Sequence, residues 1–372
     1  MAYARAQEVV AGADSEAGSQ RQCRVRMIKY LGSKRRLVSE LGAVLAAAEA
    51  GTALDLFTGT TRVAQEFCRR GAEVTAVDTA AYSEVLAQCY VGLDAAEVDP
   101  GEVAEALDRL QALPDRRGYV TEVFCEKARY FHPDNGVRID AIRQGIDDLY
   151  GDHWLRPVLL TALLEAADRV DSTVGLQMAF LKTWAPRALR PLRLQAPELT
   201  PGRGRAVRGD ALTVIDALEP VDLAYLDPPY NQHRYYTNYH VWETLVRWDA
   251  PEYYGIACKR LDARSDATRS PFNSRRQMPQ ALADVIARVR AETVVVSFSN
   301  EGFVPLEDLV AMCEARGHPV TVLAYDARRY IGQQIGVFSP DGRRVGQAGP
   351  ERNVEYVLIS APAERLEAIT SR

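Results

Sequence analysis

The sequence predicts an α/β fold, a doubly wound and mostly parallel sheet interrupted by a helical block. Three observations carry this. Apolar strand-like runs alternate with helical patterns through most of the chain, the arrangement of a sheet with helices on both faces. Asp55 and Asp78 each close a strand-like run, with a Gly-containing turn and a helical pattern between them. A third such run, VDLAYL, stops at Asp227-Pro228-Pro229-Tyr230, where two prolines forbid continuation as either strand or helix.

Taken in chain order, residues 1–26 are rich in Ala, Gly, Ser, Gln and Arg and lack an apolar h-region, so they read as a flexible leader and not a signal peptide. TALDLFTGT (52–60), TRVAQEFCRRG and AEVTAVD (72–78) form a β-α-β unit, with Gly71 placed to end the helix. From Asp78 to about Arg205 the character changes. AAEVDPGEVAEALDRLQAL, VRIDAIRQGIDDLYG and WLRPVLLTALLEAADRV have helical periodicity, with no convincing strand among them. Strands return with VDLAYLDPPY, TVVVSFSNEG (293–302), VTVLAYDARR (320–329) and VEYVLIS (354–360). Between them lie the helical MPQALADVIARVRAE and PLEDLVAMCEARG. The division expected is a leader (1–26), a catalytic domain in two pieces (27–90 and 206–372) and a helical insertion (91–205).

At 372 residues the chain can bury a substantial core, and no apolar run of about 18 residues occurs that would span a membrane. The cytoplasm is the expected compartment. Six cysteines are scattered without a C-x-x-C pair or nearby His at metal-ligand spacing, so reduced thiols and no metal are expected. The net charge of −5 argues against a polyanionic partner only if charge is even, and it is not. Lys182, Arg187, Arg190, Arg193, Arg203, Arg205 and Arg208 face only Glu198 across their stretch, and Arg24, Arg26, Lys29, Lys34, Arg35 and Arg36 form a second cluster. Such stripes fit a nucleic-acid footprint, although solvated loops produce them too.

In an open α/β sheet ligands bind at the carboxyl ends of strands, so Asp55, Asp78 and Asp227 all stand where chemistry is expected. Thr58, Gly59 and Thr60 allow close backbone approach to a nucleotide-like ligand, but the loop is not G-x-G-x-x-G, which disfavours a dinucleotide. Asp78 can accept hydrogen bonds from both ribose hydroxyls, favouring a cofactor with an adenosine moiety. Asp-Pro-Pro-Tyr on its own also reads as an ordinary turn.

KYLGSK (29–34), DLFTGT (55–60), Asp78 and DPPY (227–230), in that order, resemble the motifs of the alpha-group DNA adenine N6-methyltransferases, the Dam-like or D12 class. DPPYNQHRYYTNYHVWETL resembles more closely the members that accompany type IIS restriction systems. The resemblance implies a Rossmann-like methyltransferase fold, S-adenosyl-L-methionine as cofactor, and double-stranded DNA as substrate, with cognate restriction or defence-system proteins as possible partners. It implies that Tyr30 and Lys34 line the cofactor or target pocket, and that Asp55 and Gly59, with Phe57 and Thr58 in the same loop, approach the methionine part. Asp78 then binds ribose. Asp210 takes the place of the carboxylate that reads the cofactor adenine, or else it is simply a helix N-cap. Members of the class often carry glycine where this chain has Thr60 or Thr61.

The amine of adenine is a poor nucleophile because its lone pair is delocalised into the ring. The Asp227 carboxylate and Pro228 carbonyl can accept its two N–H hydrogens and favour a pyramidal nitrogen, with Pro229 helping to hold both acceptors rigid. Tyr230 offers a stacking face for a base taken out of the duplex. Arg138, Arg143 and Asn135, near Tyr130 and Phe131 in the helical block, are of types that read base edges, though such residues are more often structural. Tyr235, Tyr236, Asn238, Tyr239 and Trp242 lie on a loop and helix after the motif, either packing in the core or touching DNA. Two other classes fit the sequence less well: an RNA base-amine methyltransferase, for which no RNA-binding module is recognisable, and a non-catalytic DNA-binding protein, against which the intact DPPY argues.

Overall fold

The computed structural model describes residues 28, 29, 34, 37–328 and 352–371. The leader, Tyr30, Arg35, Arg36 and Cys23 lie outside the described residues. Helix α1 (Val38–Ala47) leads into β1 (Thr52–Asp55), α2 (Arg62–Arg69), β2 (Glu73–Asp78) and α3 (Ala81–Tyr90). There follow α4 (Pro100–Gln111), a π-helical turn (Val120–Lys127), α5 (Pro133–Tyr150) and α6 (Arg156–Arg169). The sheet resumes with β3 (Gly204–Arg208) and β4 (Val221–Leu226), followed by α7 (His240–Arg247), α8 (Met278–Arg288) and β5 (Ala291–Ser299). Helix α9 (Leu306–Glu314), β6 (Val320–Arg328), β7 (Arg352–Ser360) and α10 (Ala363–Thr370) complete the described chain.

The seven strands form one sheet in the order β3-β2-β1-β4-β5-β7-β6. Neighbours are parallel except that β7 runs antiparallel to both β5 and β6. From β1 the chain winds outward through β2 and β3, and from β4 it winds the other way, so the topological switch falls between β1 and β4. Pairing of Asp55 with Tyr225, and the Leu56 N–H donated to the Tyr225 carbonyl at 3.1 Å, bring the carboxyl ends of those two strands side by side. That is where an open α/β sheet binds its ligand.

Successive residues of a strand face opposite sides, and the core divides accordingly. Leu223, Tyr225 and Val295 pack with α1, α2, α3, the inserted helices and α10 on one face. Leu54, Ala224, Leu226, Val294 and Val296 pack with α8 and α9 on the other. Helices α4, α5 and α6 contribute Leu110, Ile139, Ile142, Ile146 and Leu163 to the first core, so the insertion is continuous with the sheet's own packing. Glu243 of α7 caps α3 by accepting the Ala81 N–H at 2.9 Å.

The strand β3 is not expected from the sequence, where Arg203, Arg205 and Arg208 read as phosphate contacts. As the edge strand it leaves its arginines outward: Arg205 donates to Thr75 Oγ1 at 3.0 Å, Arg208 pairs with Glu84 at 3.8 Å, and Arg203 pairs with Glu97. Arg187 is held by Asp171.

The suggested base-reading residues of the insertion are structural instead. Arg143 is 1% exposed and donates to the carbonyls of Leu245 and Val246 at the end of α7, with its guanidinium 5.1 Å from the Trp248 ring centroid. Asn135 donates to the Ala188 and Arg190 carbonyls and accepts the Leu192 N–H. Arg138 donates to the Gln111 and Leu113 carbonyls and pairs with Asp115 at 3.0 Å. Tyr130 and Phe131 are buried, as are Trp242, Tyr239 and Asn238. Among the described residues the five cysteines are free and buried, no group of His, Cys, Asp and Glu is placed to hold a metal, and no helix is long and apolar enough to cross a membrane.

Candidate active site

A cleft with about 1100 Å³ of open space lies over the β1/β4 switch. It gathers Lys34, Asp55, Phe57, Thr58, Gly59, Asp78, Asp210, Asp227 and Pro229 from the residues the sequence singled out. Tyr30 lies outside the described residues, and Pro228 and Tyr230 flank the lining residue Pro229 in the chain without being among the lining residues themselves.

The floor is the turn after β1. Gly59 has φ +53 and Thr61 φ +62, both in the left-handed region. A β-branched residue there is strained, on the scale of about 1–2 kcal/mol, which explains why a glycine suits this turn. Thr61 is held in place by burial and by its hydroxyl, which donates to the Thr60 carbonyl and accepts from Gln65 Nε2 at 2.8 Å.

The three strand-end aspartates differ in what they hold. Asp55, 1% exposed, accepts the Thr58 hydroxyl at 2.8 Å and the Ala64 N–H at 3.2 Å through Oδ2, while Oδ1 is buried with no hydrogen-bond partner. Burial pushes its pKa up to about 7, against the Thr58 hydrogen bond and with the help of Asp227. Asp78 accepts the Gly59 N–H at 2.9 Å through Oδ2 and the Ala80 N–H at 3.0 Å through Oδ1, so it ties the β1 turn to the β2 turn. Burial raises its pKa, opposed by those N–H groups. Asp210 is an N-cap, accepting the Leu212 N–H at 2.9 Å, and it also lines the cleft.

Asp227 has no backbone N–H on its carboxylate among the described residues. Its partner is Lys34, whose Nζ lies 3.1 Å from Oδ1. Burial raises the Asp227 pKa to about 6, with Lys34 acting to lower it and Glu355 to raise it. Burial alone would lower the pKa of Lys34, but Asp227 and Glu355 outweigh it and keep the ammonium charged well above the usual lysine range.

Tyr230 follows the prolines, its ring edge-on to Phe298 with centroids 6.0 Å apart and its carbonyl accepting the Phe303 N–H at 3.0 Å. Lys34 Nζ lies 6.0 Å from its centroid. The chain after the motif folds back as a roof: Asn273 donates to the Asn231 and His233 carbonyls, Arg234 donates to the Thr268 carbonyl, and Tyr235 stacks on Tyr239. Phe272 meets Phe57 edge-on at 5.0 Å.

Sequence reasoning missed Glu355, Phe272 and Asn273. Phe272 sits in a Ser-Pro-Phe-Asn turn with no motif around it, and Glu355 reads as the exposed polar position of an alternating strand.

A family model described as D12 class N6 adenine-specific DNA methyltransferase matches residues 30–276. The chain is 30% identical over 306 residues to the type II methyltransferase M.NlaIII of Neisseria lactamica, covering 78% of this chain and 89% of that protein. It is 28% identical over 307 residues to the type II methyltransferase M.CviAII of Paramecium bursaria Chlorella virus 1, with the same coverage of 78% and 89%. It is 26% identical over 319 residues to the type II methyltransferase M.FokI of Planomicrobium okeanokoites, covering 80% of this chain but only 48% of that protein.

Proposed function

The chain belongs to the D12 class of N6 adenine-specific DNA methyltransferases, and on that premise we propose that it methylates N6 of adenine within a defined site of double-stranded DNA, using S-adenosylmethionine. The observation that carries the assignment of roles is the contrast among the strand-end carboxylates. Asp55 and Asp78 are committed to holding the turns, whereas Asp227 leads directly into two prolines and carries only the ammonium of Lys34.

The cleft fits the cofactor by its own chemistry. The orphaned Asp55 Oδ1 is a buried acceptor, and leaving such a group unpaired costs about 1–3 kcal/mol, which a cationic donor such as the methionine ammonium would relieve. A cation there would also draw the raised pKa of Asp55 back down. Asp78, whose oxygens accept the Gly59 and Ala80 N–H groups, is the carboxylate assigned to accept a ribose hydroxyl. Asp210, which lines the cleft, takes the role of acceptor for the cofactor's adenine amine in this reading. S-adenosylmethionine supplies, when bound, an electrophilic methyl group on a sulfonium.

The remaining work falls to the chain itself. Asp227 and the Pro228 carbonyl accept the two N–H hydrogens of the target amine and localise its lone pair. Positive charge develops on that nitrogen during transfer, and fixed acceptors aimed at it stabilise the transition state without reorganising. Asp227 then receives the N–H proton that the methylated nitrogen sheds. Tyr230, braced by Phe298, offers its ring face to the extruded adenine. The type II restriction-modification character of the relatives supports a restriction or defence setting, with a cognate nuclease as partner.

The test is transfer of labelled methyl groups to duplex DNA followed by nucleoside analysis. N6-methyladenine is expected. Label in N4-methylcytosine, or in RNA alone, would overturn the substrate assignment.

A further inference from the structure

Glu355 stands on β7, the reversed strand, opposite Ser299 of β5. Its carboxylate pairs with Lys34 Nζ and accepts the Ser297 hydroxyl at 3.2 Å, and the same Nζ lies 3.1 Å from Asp227 Oδ1. The three side chains are 13%, 8% and 20% exposed, so water screens them little. We propose that Glu355 is a positioning residue for methyl transfer: by sharing the Lys34 ammonium with Asp227, it leaves the cluster with a net negative charge where the target amine must become positive. This rests on the role given to Asp227 above.

An ammonium paired with a single carboxylate makes a neutral unit, and that carboxylate is a weakened acceptor. With a second carboxylate on the same ammonium, one lysine orients two acids and the sum is one negative charge. At separations of a few Å in a water-poor cleft such a charge acts strongly on a neighbouring cation. The other titratable groups facing Asp227 are Asp55 at the end of β1, Tyr225 of β4, Tyr230 after the prolines and Tyr235 of the roof. Of these only Asp55 is an acid in the working pH range, and its Oδ2 is already engaged by Thr58 and Ala64. Glu355 acts to raise, and Lys34 to lower, the pH at which Asp227 ionises. The two partners therefore move the acid limb of activity in opposite directions, which a merely structural contact would not do.

The experiment uses the full chain as wild type, Glu355→Gln, Lys34→Met and the double variant, in single-turnover methyl transfer to duplex DNA across pH, with S-adenosylmethionine binding by calorimetry as a control. For Glu355→Gln the expected result is a rate about tenfold or more lower with little change in cofactor affinity, and an acid limb displaced to lower pH by roughly one unit or less. Lys34→Met should displace the limb upward, and the double variant should return toward the wild-type limb because Asp227 alone restores the net charge. A Glu355→Gln limb and rate that coincide with wild type, while Asp227→Ala is inactive, would overturn the proposal. Full activity in Asp227→Ala would instead overturn the role of Asp227 itself. If Glu355→Gln fails to fold, Ser297→Ala carries the test: a smaller displacement of the limb supports the proposal, and an unmoved limb overturns it.

Discussion

Replacing Asp78 should damage cofactor binding and fold stability together, and the structure sets the size of each. Its two oxygens accept the Gly59 and Ala80 N–H groups at 2.9 and 3.0 Å. Hydrogen bonds to a charged acceptor contribute about 1.5–3 kcal/mol each. Asp78→Ala removes both, and partial access of water to the freed N–H groups brings the expected loss to about 2–4 kcal/mol. For a chain of 372 residues each kcal/mol lowers Tm by on the order of 1 °C, so the shift should be about 2–5 °C. Loss of the ribose acceptor adds about 1.5–3 kcal/mol to binding, a Kd weakened about 10- to 150-fold. Asp78→Asn keeps one acceptor oxygen and turns an amide toward the other N–H, so it should fall between wild type and Asp78→Ala in both measurements. Calorimetry with S-adenosylmethionine and thermal unfolding read the two effects. A lowered Tm with wild-type affinity would refute the ribose role alone, and wild-type values of both would refute the whole reading of Asp78.

Two further outcomes are expected. Asp55 has a folded-state pKa of about 7 against an ordinary value of 3.8, so the folded protein holds a proton that the unfolded chain releases, and wild-type stability falls as pH rises from about 4 to about 7. Asp55→Asn removes that dependence. Its stability relative to wild type should rise over the same window, by at most about 4 kcal/mol, and level off above pH 7; denaturation midpoints with the same offset at pH 5 and pH 8 would contradict this. Lys182, Arg190 and Arg193 are exposed and make no ion pair among the described residues, whereas Arg203 and Arg205 are bonded to Glu97 and Thr75. Replacing the first three with Ala should flatten the salt dependence of DNA binding by about 0.9 for each phosphate no longer neutralised, while replacing Arg203 and Arg205 should change it little. Equal slopes for the two variants would refute the distinction.

Much of the fold could be read because the central strands are apolar runs closed by Asp55, Asp78 and Asp227, and a strand that must stop abruptly at a ligand edge advertises both its end and its purpose. The edge strand β3 was hidden for the opposite reason. Gly204–Arg208 is paired on one side only, so it can carry arginines that look like a charged loop. Arg143 was legible in principle: it stands four residues after Ile139 and three before Ile146, both buried, which puts it on the apolar face of α5 where a charge must be paired inside. Arg62, a cleft-lining residue, gave no signal beyond its place after the turn. Glu355 could not be found at all from spacing, because it meets Lys34 across 321 positions of sequence and only the reversed strand brings them together.

The most direct test is methyl transfer to duplex DNA by Asp227→Ala, measured beside cofactor binding by the same variant. Binding should stay close to wild type, since the groups proposed to hold the cofactor are Asp55, Asp78 and Asp210, while turnover should fall about a hundredfold or more. Tyr230→Phe should keep most activity and Tyr230→Ala should lose it, because the proposed contact with the base is through the ring face and not the hydroxyl. Wild-type turnover in Asp227→Ala, with N6-methyladenine still formed, would contradict the assignment of Asp227 as the acceptor that activates the amine.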